Sequence, residues 1–186
     1  MAVTQVSICN SALIKCGSIT ISSIGQNTRE ARLLNSVWDK VRDELLRSHP
    51  WNFAIKRATL APTATTPDFE YDYEFDLPND CIRILDEEYS DTDYVIEGRK
   101  ILSNEATLSF RYIYRNEDVD TWDSSFAETM AWRLAQEISY ALAPNSALQD
   151  RLEAGFKRSM SEARNVDGSE GILKGLVADE WIRARR

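Results

Sequence analysis

The chain has 186 residues, 43% of them hydrophobic and 28% charged, with a formal net charge of −8 at pH 7. That length suits one body with a core of its own, since a chain of this size buries roughly 70% of the surface its unfolded form exposes. An acidic balance argues against tight nucleic-acid binding. No apolar run approaches the ~20 residues of a bilayer span, and Met1-Ala2-Val3-Thr4-Gln5 lacks a basic-then-apolar leader, so the reading is a soluble cytosolic product.

Val6, Ile8, Cys9, Ala12, Leu13 and Cys16 recur at helical spacing, and Gly17 ends that first helix. Cys9 and Cys16 lie two turns apart on one face and read as small core residues. With Cys81 they make three cysteines beside a single histidine and no CxxC pair, which argues against a zinc site. Residues 18–26 read as a loop. Asn27 and Glu30 have capping-box spacing ahead of Ala31, Leu34, Trp38, Val41 and Leu45, an amphipathic helix ending near Ser48.

The segment Arg47–Pro62 follows, with the lone histidine in a His49-Pro50-Trp51 triplet. Proline has no N–H and pushes the residue before it out of the α region, so the helix stops here. Trp51 and Phe53 then follow at strand spacing. His49, Pro50, Trp51 and Phe53 read as a structural joint between a helical layer and a β layer. His49 as a catalytic base lacks partners of known geometry and reads instead as a cap on the helix C-terminus.

Phe53–Leu60 reads as a strand, and Ala61–Pro67 as a loop that two prolines keep out of regular pairing. Phe69, Tyr71, Tyr73, Phe75 and Leu77 then alternate with Asp68, Glu70, Asp72, Glu74 and Asp76, the pattern of a strand with one wet, acidic side. Those carboxylates are weighed as a Ca²⁺ or Mg²⁺ site and read as a solvated face, because alternate strand residues stand nearly 7 Å apart and no glycine loop curls them round an ion. The segment belongs to an acidic stretch: residues 61–125 carry a net −12, against +4 for residues 1–60 and zero for residues 126–186. Cys81–Leu85, a hairpin of Tyr94–Glu97 and Arg99–Ser103 turning at Gly98, and Thr107–Tyr114 complete what reads as a small antiparallel meander.

Asp118, Asp120 and Asp123 read as a polar loop that caps the next helix, with a metal site a remote alternative. Ser125-Phe-Ala-Glu128 is a capping box, followed by Met130, Leu134, Ile138 and Leu142. Ala143-Pro144 stops that helix, and Ser146 opens another carrying Leu148, Leu152, Phe156 and Met160. From Val166 the chain turns glycine-rich and reads as a flexible tail, in which Leu173, Leu176 and Trp181 are apolar anchors suited to docking. There is no P-loop, GxGxxG or nucleophile elbow, so no enzyme, metal or cofactor is expected.

The expected fold is α+β: a four-helix bundle of two N-terminal and two C-terminal helices, with a small β meander inserted and a flexible C-terminal tail. Its segments are residues 1–52 (first half of the bundle), 53–119 (β insertion), 120–166 (second half) and 167–186 (docking tail).

Four stretches together resemble the tail tubular protein A family, the head-to-tail adaptors of short-tailed bacteriophages. They are SICNSALIKCG at Ser7–Gly17, DKVRDELLRSHPWNFA at Asp39–Ala54, YEFDLPNDCIR at Tyr73–Arg83 and SFAETMAWRLA at Ser125–Ala135. The pattern running from Arg42 to Ala54 is the most specific of them. The resemblance implies a non-enzymatic virion protein of the tail or neck, assembled from host cytoplasm as a homo-oligomeric, dodecameric ring. Its partners would be the portal protein above and the tail nozzle (tail tubular protein B), or another tail component, below. DNA would pass through the lumen without specific binding, and no membrane would be involved. In that role Leu173, Leu176, Trp181 and Arg183 would dock on the portal, and Asp68, Glu70, Asp72, Glu74 and Asp76 would give a lumen or surface repulsive to DNA. The alternatives are a head-completion or connector protein of another phage type, and a non-viral protein-binding module.

Overall fold

The computed structural model describes residues 3–85 and 93–170. Helix α1 (Gln5–Lys15) starts at Thr4, whose hydroxyl accepts from the Ser7 N–H while Ser7 answers the Thr4 N–H. It ends where Gly17 takes φ +70, a conformation that costs glycine little. Helix α2 (Arg29–Ser48) is capped by Thr28, whose hydroxyl accepts from Ala31 N at 3.3 Å. The cap thus lies one residue beyond the expected Asn27, whose own side chain accepts from Arg32.

A 3₁₀ turn (Asn52–Ala54) leads into strand β1 (Ile55–Leu60). Strands β2 (Tyr73–Asp76), β3 (Cys81–Ile84), β4 (Tyr94–Glu97), β5 (Lys100–Ser103) and β6 (Leu108–Tyr114) follow. A second 3₁₀ turn (Val119–Thr121) precedes α3 (Ser124–Leu142), which Asp123 caps by accepting from Ser125 N. Helix α4 spans Ser146–Glu170, with Asn145 accepting from Leu148 N at its start.

The expected architecture is corrected in three respects. First, the β part is no small meander but two three-stranded antiparallel sheets, ordered β1-β6-β3 and β2-β5-β4. Apart from the β4–β5 hairpin, partners are distant in sequence: Ile55 faces Ile113, and Phe75 faces Ile101. Alternation marks which residues face inward and carries no record of which strand lies alongside.

Second, the helices do not bury their apolar faces only on one another. The first sheet is a middle layer. Leu108, Phe110 and Tyr112 of β6 face the second sheet, where Phe75 and Ile101 are fully buried. Ile113 points the other way, into the helical core, joined there by Ile82 and Leu85. Within the helical layer α3 is the hub, packing on α1, α2 and α4. Its contact with α4 is close enough that a Cβ on Gly155 would sit 2.4 Å from the Trp132 ring, so the glycine admits the indole.

Third, the tail does not begin at residue 167, because α4 continues through Gly168 to Glu170. No helix among the described residues is long and apolar enough to cross a membrane.

Candidate functional site

The joint after α2 is tied by side chains from several elements. A helix leaves its last carbonyls without intrahelical partners, and here side chains from several elements take them. The Trp51 indole Nε1 donates to Leu45 O at 2.9 Å, and the Ser48 hydroxyl donates to the same oxygen at 2.7 Å. Arg83 of β3 donates to Arg47 O at 3.2 Å, and Arg164 of α4 donates to Ser48 O at 3.2 Å. Two guanidinium groups thus sit at the negative end of the α2 dipole. Arg47 itself reaches Ile82 O at 2.5 Å, so helix and strand are tied in both directions.

Backbone geometry follows from the proline. His49 is extended at φ −153 and ψ 147, out of the helix, as the residue before Pro50 must be. Trp51 is fully buried. Phe53 lies in the 3₁₀ turn rather than in a strand, which begins two residues later at Ile55. The Phe126 ring of α3 meets Trp51 edge-on at 5.0 Å, Phe53 at 4.9 Å and Trp122 at 5.1 Å. Trp122 in turn stacks on Trp38 of α2 at 6.0 Å. Such pairs add about 0.5–1.5 kcal/mol each beyond area burial. They anchor the segment between α2 and β1 on α3, within the helical core.

The residue that locks the joint is one that the sequence reading missed. Asp167, buried in the last turn of α4, accepts from Asn52 N at 2.9 Å. Its other oxygen lies 3.1 Å from His49 Nε2, and its carbonyl accepts from the Asn52 amide at 2.7 Å. A carboxylate in a helix's last turn is disfavoured by the dipole, and that misfit was the available signal that Asp167 has a specific partner. His49, the C-cap residue of α2, therefore also meets a partner across the joint.

Arg42, also overlooked, is buried and reaches three carboxylates: Asp39 at 2.9 Å, Asp43 at 2.9 Å and Glu117 at 3.5 Å. Asp43 also pairs with Arg115 at 2.8 Å, which fastens α2 to the end of β6.

The alternating acidic segment behaves differently. Only Tyr73–Asp76 is a strand. Upstream, Glu70 takes φ +72, which is costly for a residue with a Cβ, and Phe69 is 78% exposed. The five carboxylates do not form one wet face. Asp68, Glu70 and Asp72 are exposed on the incoming loop, whereas Lys100 binds Glu74 at 2.8 Å and Asp76 at 2.7 Å. Those two acids hold the Lys100 ammonium above its usual range.

Leu173, Leu176, Trp181 and Arg183 lie outside the described residues. Among the described residues no group of three or more histidine, cysteine or acidic side chains is gathered as for a metal ion. Burial pushes the Cys9 thiol up to about 12 and raises those of Cys16 and Cys81, so all three are kept as thiols rather than nucleophilic thiolates. Side chains of the joint bond α2 to β3 through Arg47 and Arg83 and to α4 through Arg164 and Asp167. No protein-family model matches the chain, and no curated protein matches it.

Proposed function

We propose that this chain is a structural adaptor, a head-to-tail connector of a short-tailed bacteriophage that assembles as a ring between portal and tail nozzle. One observation carries the reading. The segment from Arg42 to Ala54, which resembles the adaptor family most specifically, consists of residues that tie a helical body to a two-sheet body. Arg42, Leu45, Trp51 and Ala54 are buried, and Arg47, His49 and Asn52 bond across the joint through their side chains or backbone, while the Ser48 carbonyl accepts from Arg164. An adaptor needs two unlike surfaces held in fixed orientation, one for each neighbour.

In this role the helical body meets the portal and the sheets face the tail. Asp68, Glu70 and Asp72 supply charge that repels passing DNA; Glu74 and Asp76, already bound by Lys100, contribute less. Residues 171–186 add to portal attachment, and twelvefold repetition multiplies weak contacts through effective concentration. The test is to mix the full chain with a purified portal ring from the same genome and to image the product. A twelve-fold collar on the portal is expected. A chain that stays unassociated at micromolar concentration of both partners refutes the proposal.

A further inference from the structure

The two sheets stand open along one side. Strand β3 is an edge of the first sheet and β4 an edge of the second, and a cleft of about 590 Å³ opens between them. Leu77, Ile84, Leu85 and Ile96 give it apolar walls, and Arg47, Arg83 and Arg99 bring three guanidinium groups to it. Each guanidinium is held by a backbone carbonyl: Arg47 donates to Ile82 O, Arg83 to Arg47 O and Arg99 to Pro78 O. Among the described residues none of the three meets a carboxylate. Burial raises the pKa of the Cys81 thiol in the same cleft, and Arg99 and Arg47 oppose that rise. Three such cations in one apolar recess suit an anionic ligand with an apolar part.

The same chain carries a matching tip. Asp68, Phe69, Glu70 and Asp72 are exposed on the loop ahead of β2. The Tyr71 N–H donates to Phe69 O at 2.9 Å, closing a tight reversal at Glu70, whose positive φ is the cost of that turn. Phe69 stands at the tip with a carboxylate on either side. Phe75 and Ile101 point into the inter-sheet core, so Glu74, Lys100 and Leu102 point outward, and the loop lies beside them. The loop surface shares no lining residue with the cleft. One copy therefore presents tip and cleft on different surfaces, the condition for a head-to-tail contact that repeats from copy to copy.

We infer that the Asp68-Phe69-Glu70 tip of one copy seats in the β3–β4 cleft of the next. The Phe69 ring packs against Leu77, Ile84 and Ile96, and its flanking carboxylates meet Arg47, Arg83 and Arg99. An aromatic anchor in a pocket ringed by polar contacts is a common core of such interfaces. The inference stands on the chain alone and needs no phage role. If the adaptor reading holds as well, this is the contact between neighbours round the ring, and it takes Asp68 and Glu70 away from any surface facing DNA.

Sedimentation velocity of the full chain over a concentration series tests it. The native chain is expected to grow beyond a dimer as its concentration rises to about 100 µM, a range suited to a contact of small area. Phe69→Ser removes the anchor and Arg99→Glu reverses one charge of the cleft, both at exposed positions. Each should raise the dissociation constant at least about tenfold. Mixed together, the two variants pair the intact tip of one with the intact cleft of the other, so a dimer forms and growth stops there. Should Arg99→Glu melt lower than the native chain, Ile96→Asp, also at an exposed position, serves in its place. A native chain that stays monomeric overturns the inference, and a cleft filled by its own chain would give that result. Association that survives either variant overturns it too, as does a mixture that remains monomeric. The portal experiment reads a different event, so the two proposals fail separately.

Discussion

The helical core and the inter-sheet core are built on different scales. The first gathers residues from α1, α2, α3 and α4 and from the inner face of the first sheet, and at its centre three aromatic rings meet around Phe126. The second buries only Phe75, Ile101, Leu108, Phe110 and Tyr112, and one of its edge strands leaves Val95 and Ile96 partly exposed. Large cores share load among many contacts, while a small one depends on one or two side chains. The helical core should therefore set global stability, and the outer sheet should open on its own at lower free energy.

Trp51→Ala breaks the comparison at its strongest point. It empties a fully buried site, removes three aromatic neighbours and takes one donor from the Leu45 carbonyl. Large-to-small changes of this kind cost about 3–5 kcal/mol. Chemical denaturation should show a loss at the upper end of that range, with helices and both sheets melting together. A loss below ~2 kcal/mol would mean that the joint is not the keystone of the larger core.

Phe75→Ala tests the smaller core. The residue is fully buried opposite Ile101, and its removal should cost about 3 kcal/mol. The informative readout is where the loss appears. Hydrogen exchange should rise in β2, β4 and β5 while α2 and α3 keep their protection. Uniform acceleration through both cores would show that the two sheets and the helices form one cooperative unit.

Several parts of this fold are legible in the sequence because their causes are local. The four helices follow from 3.6-residue periodicity, and the β4–β5 hairpin turns at Gly98, which takes φ +59. Helix α2 ends where Pro50 forces it to. What was not legible depends on distant partners. The Phe69–Leu77 alternation is cleaner than that of any strand that formed, yet only its second half has β5 to pair with. Asp167 lies among Val166, Gly168 and Ser169 in a stretch that reads as a tail, and only the bonds to Asn52 and His49 across the joint account for its burial. Gly155 looked unremarkable within a helical stripe, because Trp132 comes from a neighbouring helix.

The smallest expected effect sharpens the contrast from the electrostatic side. Asp80 binds the first sheet from its edge: Lys56 of β1 donates to Oδ2 at 2.8 Å, and Tyr112 of β6 donates to Oδ1 at 3.1 Å. Burial alone would raise its pKa, but the hydrogen bonds from Lys56 and Tyr112 outweigh burial and hold it below the ordinary 3.8. A carboxyl whose pKa is depressed by folding favours the folded state at pH above its unfolded value, and that stabilisation fades as pH falls through the lower folded value. Asp80 is partly solvent-exposed, so Asp80→Asn should cost under ~1 kcal/mol at pH 7. The gap between native chain and variant should narrow as pH drops below 3.8 and vanish once Asp80 is protonated in both states. Denaturation midpoints measured from pH 7 down to strong acid decide the matter. A gap that stays constant throughout would show that Asp80 acts through the shape of its hydrogen bonds, and that its charge adds nothing to the sheet that joins the two cores.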